Sequence, residues 1–223
     1  MTTLKRQPVI FCDFDGTVTK SDNIIAAMKQ FAPDEWVSLK DQVLSQQISI
    51  QDGVGEMFAL LSSSKREEIT NFIVQQAKIR EGFDRFIAYV KEQEIPLYIV
   101  SGGIDFFVKP LLKGRIEEEY IYCNRADFSN ENITITWPHS CDEQCDNDCG
   151  CCKPSIIRKI ANDTSYKVVI GDSITDLQAA KLADKVIARD FLIEKCEENK
   201  LAYESFETFD DVISILQRLE VTV

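Results

Sequence analysis

A single histidine, His139, stands in this chain of 223 residues. That scarcity argues against phosphatases that use two histidines and against hydrolases in which a buried histidine activates a serine, and it leaves His139 to a loop or a metal. No apolar run reaches the 18 residues that a membrane helix needs, and no basic-apolar leader stands before the first apolar strand. The expectation is a soluble, cytoplasmic protein without a membrane partner. Positive charge is also short: 25 Lys and Arg face 37 Asp and Glu, for a formal charge of −12. Such a surface repels a nucleic-acid backbone, and an anionic substrate has to be drawn by a local cation or a metal. Repeats and low-complexity tracts are absent as well, and nothing in the sequence sets an oligomeric state. With 44% hydrophobic residues the chain can bury a core, as one large domain or as a core with a small insertion.

What is present is a series of four short motifs, each placed where a strand ends or a helix begins. Val9-Ile10-Phe11-Cys12-Asp13-Phe14-Asp15-Gly16-Thr17 puts two carboxylates at the carboxyl end of an apolar strand, where open α/β sheets carry their chemistry. Gly16-Thr17 turns the chain, so Asp13 and Asp15 rim one pocket, where they repel unless a cation or a proton lies between them. Leu97-Tyr98-Ile99-Val100 reads as a second buried strand delivering Ser101-Gly102-Gly103, a hydroxyl beside two unhindered amides that can approach an anion. Lys153-Pro154 opens a helix, with the lysine at its mouth as a cation for phosphate. Val168-Val169-Ile170 ends in Gly171-Asp172-Ser173-Ile174-Thr175-Asp176, one acid at the strand tip and another in a helix's opening turn. Taken singly, each motif has a plain alternative: Ser101 as a helix cap, Lys153 as a solvated charge, Asp172 with Asp176 as a helix-start cap.

In this order the motifs resemble those of the haloacid dehalogenase superfamily of phosphotransferases, with Asp-x-Asp-x-Thr first and Gly-Asp-x-x-x-Asp last. The resemblance implies an α/β fold, a Rossmann-like parallel-sheet core with an inserted helical cap, and a phosphoric monoester hydrolase acting on a small-molecule phosphate ester. It implies Asp13 as nucleophile and Asp15 as general acid, then base, with Gly16, Thr17, Ser101, Gly102, Gly103 and Lys153 around the phosphate. It also implies Mg²⁺ on Asp13, the Asp15 backbone carbonyl and Asp172, with Asp176 oriented behind them. Four stretches outside the motifs match one metabolic branch of the superfamily more specifically: Ser21-Asp22-Asn23-Ile24-Ile25, Phe31-Ala32-Pro33-Asp34-Glu35-Trp36, Trp137-Pro138-His139-Ser140-Cys141 and Cys149-Gly150-Cys151-Cys152-Lys153-Pro154. Ser101-Gly102-Gly103-Ile104-Asp105-Phe106-Phe107 also looks like phosphoserine phosphatases. Residues 21–64, however, hold no Arg to clamp an amino-acid carboxylate. A non-enzymatic Cys-rich metal-binding or redox module on a retired phosphatase fold is a further alternative, against which the complete catalytic groups argue.

From Ser21 to Glu81 the pattern is helical: Ile24, Ile25, Met28 and Phe31 recur at three- and four-residue spacing, and Ser64-Lys65-Arg66-Glu67 reads as a capping box. The expected division is a helical cap over 21–81 and a catalytic core over 1–20 and 82–223. Phe31, Trp36, Met57 and Phe58 in the cap offer soft apolar walls, although aromatics at helical spacing usually pack a core. Tyr120–Cys123 and Ile133–Trp137 read as a hairpin, and Val212, Ile215, Leu216 and Leu219 as one apolar helix face.

Five of eight cysteines, Cys141, Cys145, Cys149, Cys151 and Cys152, crowd the segment before Lys153, which must therefore border the site. Their spacing, with His139 nearby, permits a structural tetrahedral Zn²⁺; reduced thiols are the equal alternative, and a disulfide fits a reducing compartment poorly. Cys12, Cys123 and Cys196 fit apolar elements as packing residues. Cys152 and Arg158 match the Cys-x5-Arg spacing of cysteine phosphatases, but Pro154 removes an amide that such a loop needs.

Overall fold

A computed structural model describes residues 6–219. Seven strands form one sheet: β1 (Gln7–Cys12), β2 (Leu97–Ile104), β3 (Ile121–Asp127), β4 (Thr134–Thr136), β5 (Ser165–Gly171), β6 (Lys185–Ala188) and β7 (Tyr203–Ser205). Their spatial order is β4-β3-β2-β1-β5-β6-β7, and every pairing is parallel except β3 with β4. Ile10, Ile99, Val168, Ile170 and Ile187 are fully buried, as strands covered on both faces require. The order runs outward in both directions from β1, so β1 and its neighbours flank the topological switch point. In such sheets the crevice beyond the strand carboxyl ends is the place for a ligand.

Between β1 and β2 the chain leaves the sheet for α1 (Asn23–Phe31), α2 (Glu35–Leu44), α3 (Ile50–Ala59) and α4 (Arg66–Gln76), then returns through α5 (Phe83–Glu92). The outgoing and returning segments pair with each other: Thr19 bridges Ile79, and the Lys20 and Arg80 amides donate to the Lys78 and Val18 carbonyls. Phe31 meets Phe72 edge-on, while Trp36, Met57 and Phe58 lie in the same buried cluster, so these four expected wall residues act first as packing. α3 packs against β4, and α4 against α6 (Asp105–Leu112).

The capping box expected at Ser64 does not form. The Ser63 and Ile133 amides donate to the Glu131 and Leu61 carbonyls, which holds the segment extended until a 3₁₀ turn at Ser63–Lys65. α4 therefore opens at Arg66 without a side-chain cap. Ser173 with Asp176 and Thr208 with Asp211 form capping boxes instead. The remaining helices are α7 (Lys153–Ile160), α8 (Leu177–Ala180), α9 (Asp190–Glu198) and α10 (Phe209–Arg218). Among the described residues no helix is long and apolar enough to cross a membrane.

The closing helix, α10, lays Val212, Ile215 and Leu216 on α5 and ends at Arg218, with Leu219 half-buried just beyond it. Phe209 anchors this contact, its ring 4.9 Å from that of Phe83, 5.0 Å from Phe86 and 5.9 Å from Phe206. Removing so large a fully buried ring costs about 3–5 kcal/mol. Phe209→Ala is expected to lower the unfolding free energy in urea by that amount; a loss within the usual surface range of ~0.5 kcal/mol would show that α10 is not fastened there.

Candidate active site

The elements deliver the expected residues to one place. β1 ends at Cys12 and hands Asp13 to the crevice, β5 ends at Gly171 before Asp172, and α7 begins with Lys153 at its first position and Pro154 at its second. Lys153 is 5% exposed and Asp13 6%. The Lys153 ammonium lies 2.7 Å from Asp13 Oδ1, 2.5 Å from Asp176 Oδ1 and 3.4 Å from Thr175 Oγ1, so its three donors are all directed. Burial alone would lower its pKa, but Asp13 and Asp176 outweigh that and hold it above the ordinary lysine value.

Asp13, Asp172 and Asp176 each present an oxygen within 4.8 Å of the others. Burial, then Asp176, pushes Asp13 well above the carboxylate range against the pull of Lys153; burial and Asp176 likewise raise Asp172 to about 6. Asp176 is committed on both oxygens, Oδ1 to Lys153 and Oδ2 to the amides of Asp172 and Ser173 at 3.2 and 3.1 Å. It therefore positions Lys153 and the turn rather than turning freely toward a ligand. Thr17 donates from Oγ1 to Asp172 Oδ1 at 2.7 Å, which ties the β1 turn to the β5 tip.

Asp15 stands apart from this cluster. Its Oδ1 accepts from the Asn23 amide (3.0 Å) and side chain (2.6 Å) at the start of α1, while its Oδ2 is sealed from solvent and has no partner. Burial first, then Asp22, raises its pKa to about 7 although the Asn23 bonds pull it down. Gly103 makes this placement possible, since a Cβ there would lie 2.5 Å from Asp15 Oδ2. Ser101 is fully buried, and its Oγ accepts from the Gly103 amide at 2.9 Å, so that amide is already used. β2 runs on through Ser101, Gly102 and Gly103 instead of ending before them, with a register shift against β3 that re-aims these residues.

The roles of two residues escaped the sequence reading, although Asn23 lies in one of the stretches singled out there. Arg80 is 7% exposed and donates to backbone carbonyls alone: Nε to Thr17 at 2.7 Å and Nη2 to Gly16 at 2.5 Å and Thr19 at 3.4 Å. Asn23 holds Asp15. Neither belongs to a local pattern, because their partners lie on a turn that only the fold brings near Arg80.

Four of the six residues considered for zinc converge. Cys141, Cys145, Cys149 and Cys152 bring their sulfurs within 4.8 Å of one another. Cys151 and His139 are not among them: the Cys151 thiol turns to the Tyr122 carbonyl at 3.7 Å, and the His139 ring packs 5.0 Å from Tyr122. Alternation along an extended segment sends Cys151 and Cys152 to opposite sides. Arg158 is held by Asp142, which removes it from any cysteine-phosphatase role.

Residues 10–181 match the family described as haloacid dehalogenase-like hydrolase. The 2-hydroxy-3-keto-5-methylthiopentenyl-1-phosphate phosphatase of Geobacillus thermodenitrificans is 61% identical over 98% of this chain and 99% of its own length. The enzyme of that name from Bacillus velezensis is 56% identical, covering 94% and 89%. Among solved structures, a phosphoserine phosphatase holding a phospho-aspartyl intermediate analogue superposes with a TM-score of 0.71 at 18% identity, over 95% of this chain and 99% of that one.

Gly16 and Gly102 separate crowding from openness in this site. Gly16 has φ of +79°, and a Cβ on it would fall 2.2 Å from Asp172 Oδ2, whereas nothing lies within 4 Å of one on Gly102. Alanine at a positive φ destabilises by more than about 1 kcal/mol. Gly16→Ala is expected to lose at least that in urea unfolding, and Gly102→Ala to lose much less; equal losses would contradict the close packing of Asp172 over the turn.

Proposed function

The chain belongs to the haloacid dehalogenase-like hydrolases, and from that premise we propose that it hydrolyses 2-hydroxy-3-keto-5-methylthiopentenyl-1-phosphate to the acireductone 1,2-dihydroxy-3-keto-5-methylthiopentene, the phosphatase step of methionine salvage. The observation that carries the substrate is end-to-end identity to relatives so named. The site supports the reaction class independently of those names.

In this reading Asp13 attacks phosphorus, and the ester oxygen leaves as an aspartyl-phosphate forms. Asp15, whose sealed Oδ2 has no other partner, gives its proton to the leaving oxygen and then takes one from the water that releases phosphate from Asp13. Lys153 neutralises charge on Asp13 and on the phosphoryl oxygens, while Ser101 and Thr17 with the turn glycines line the phosphate. Asp13, Asp172 and Asp176 cluster at one buried ammonium that pairs with Asp13 and Asp176, and the donors are all hard oxygens, so the residues fit Mg²⁺. Asp13, Asp172 and the Asp15 carbonyl would hold it, Asp176 behind them, and when bound it supplies positive charge to the transferring phosphoryl group.

Residues 21–81 serve as the cap and 1–20 with 82–223 as the catalytic core. Phe58 on α3 meets Phe106 edge-on just past Ser101-Gly102-Gly103, a buried apolar contact that joins the cap to the element following the phosphate motif. No arginine between residues 21 and 64 is available for a carboxylate, and Arg66 lies over Phe128 at 4.7 Å. A charged amino acid would there be desolvated and unpaired, whereas a methylthio chain would not. A small metabolite of a salvage route as substrate supports a cytoplasmic location.

Asp13→Asn, nearly isosteric, is expected to abolish phosphate release with the fold intact by circular dichroism, and Asp15→Asn to lower turnover on the order of 10²-fold or more. Near-normal turnover in folded Asp13→Asn would remove the mechanism. For the substrate, kcat/KM should favour the methylthiopentenyl phosphate over phosphoserine; a clear preference for phosphoserine would overturn the assignment and leave the family intact.

A further inference from the structure

The thiol cluster has no part in the chemistry above, and its geometry asks for a separate occupant. Cys141, Cys145, Cys149 and Cys152 lie in a segment, 141–152, that has no helix or strand, yet their four sulfurs share a sphere in which no two are more than 4.8 Å apart. Cys145 Sγ and Cys149 Sγ are 3.9 Å apart. Four sulfurs at about 2.3 Å from a tetrahedral zinc are spaced about 3.8 Å from one another. A disulfide needs about 2.05 Å, and all eight cysteines are free. Thiols gain little from clustering with each other, since each is a weak donor and weak acceptor.

We propose that Cys141, Cys145, Cys149 and Cys152 bind one structural zinc ion that fastens the 141–152 loop to the amino terminus of α7. All four positions are protein sulfur, which leaves no open site for water or substrate and makes the role structural. The surroundings are already arranged. Ser155 Oγ donates to Cys152 Sγ at 2.9 Å, as outer hydrogen bonds to ligand sulfur do. The Cys152 amide donates to the His139 carbonyl at 2.8 Å, and the Asp142 amide donates to Ser155 Oγ at 2.9 Å. The Asp148 carbonyl accepts from the Gln51 amide on α3 at 3.1 Å, so the fastened loop also touches the helical segment. Cys152 directly precedes Lys153, and fixing its sulfur fixes the backbone from which the ammonium reaches Asp13 and Asp176. The proposal stands whether or not the substrate assignment does.

The test is elemental analysis of the full chain purified from zinc-replete cells without chelator. One equivalent of zinc per chain is expected, falling at least tenfold in Cys145→Ser/Cys149→Ser and unchanged in His139→Ala and Cys151→Ser. Should the double variant fail to fold, wild-type protein treated with a mercurial should release one zinc as four thiols react. Replacement by Co²⁺ should give the strong thiolate charge-transfer absorption of a tetrahedral sulfur site. Less than half an equivalent, a mass showing a disulfide within 141–152, iron in place of zinc, or zinc lost on changing Cys151 or His139 would each overturn the assignment.

Discussion

One buried ammonium set among three clustered carboxylates sets the terms for everything around it. Lys153 lies between Asp13 and Asp176, and all three are nearly out of solvent, where an unpaired charge costs several kcal/mol. The sheet order makes this arrangement possible: β1 and β5 are neighbours, so Asp13 and Asp172 emerge side by side at their ends. α7 then starts where its first residue reaches Asp13 and Asp176. The surplus negative charge that results is local and buried, and a hard divalent cation is the ordinary remedy for it.

The turn that carries Asp15 is held by groups outside the Lys153 ion pairs. Arg80 donates to the carbonyls of Gly16, Thr17 and Thr19 and, from Nη1, to that of Glu207, and Thr17 in turn holds Asp172. Arg80 sits on the segment returning from the helices, paired through Ile79 with the outgoing one. The helical segment is thus attached to the sheet by two short segments bonded to each other, and the same residues shape the turn. At the far end Asn23, the first residue of α1, donates twice to Asp15 Oδ1. Any displacement of α1 from β1 breaks those bonds, so the orientation of Asp15 is coupled to the seating of the helices.

These couplings mark the limit of what the sequence disclosed. Asp13, Ser101, Lys153 and Asp172 were legible because each follows an apolar strand, lies in the carboxyl half of one or opens a helix, and strand ends converge in a parallel sheet whatever the loops do. Arg80 and Asn23 were not, because they bond to a turn through contacts that no periodicity records. Ser64 was misread as a cap because pairing of Ser62 with Asn132, distant in sequence, decides the backbone there. Phe31 and Trp36 show the reverse: their helical spacing was visible, but only the packed structure directs them into the interior of the helical segment. Cys151 and His139 could not be told from the converging thiols by spacing, since one residue of register reverses the side that a thiol faces.

Donor chemistry is divided sharply between two adjacent residues. Lys153 faces the carboxylates, where every available atom is a hard oxygen; Cys152 faces the loop, where the four convergent donors are soft sulfur. Because affinity for a given oxygen or nitrogen site rises from magnesium to zinc, geometry alone would not keep the two ions apart, and ligand softness has to. An ammonium beside the oxygens, directed at Asp13 and Asp176, also weakens their hold on any cation by repulsion, and that penalty falls on the carboxylate site alone. Beside the thiols the cation is Arg158, close enough to interact with Cys145 and Cys152, but its guanidinium is paired with Asp142. The peptide step from Cys152 to Lys153 therefore separates a cluster of soft sulfur donors from a cluster of hard oxygen donors.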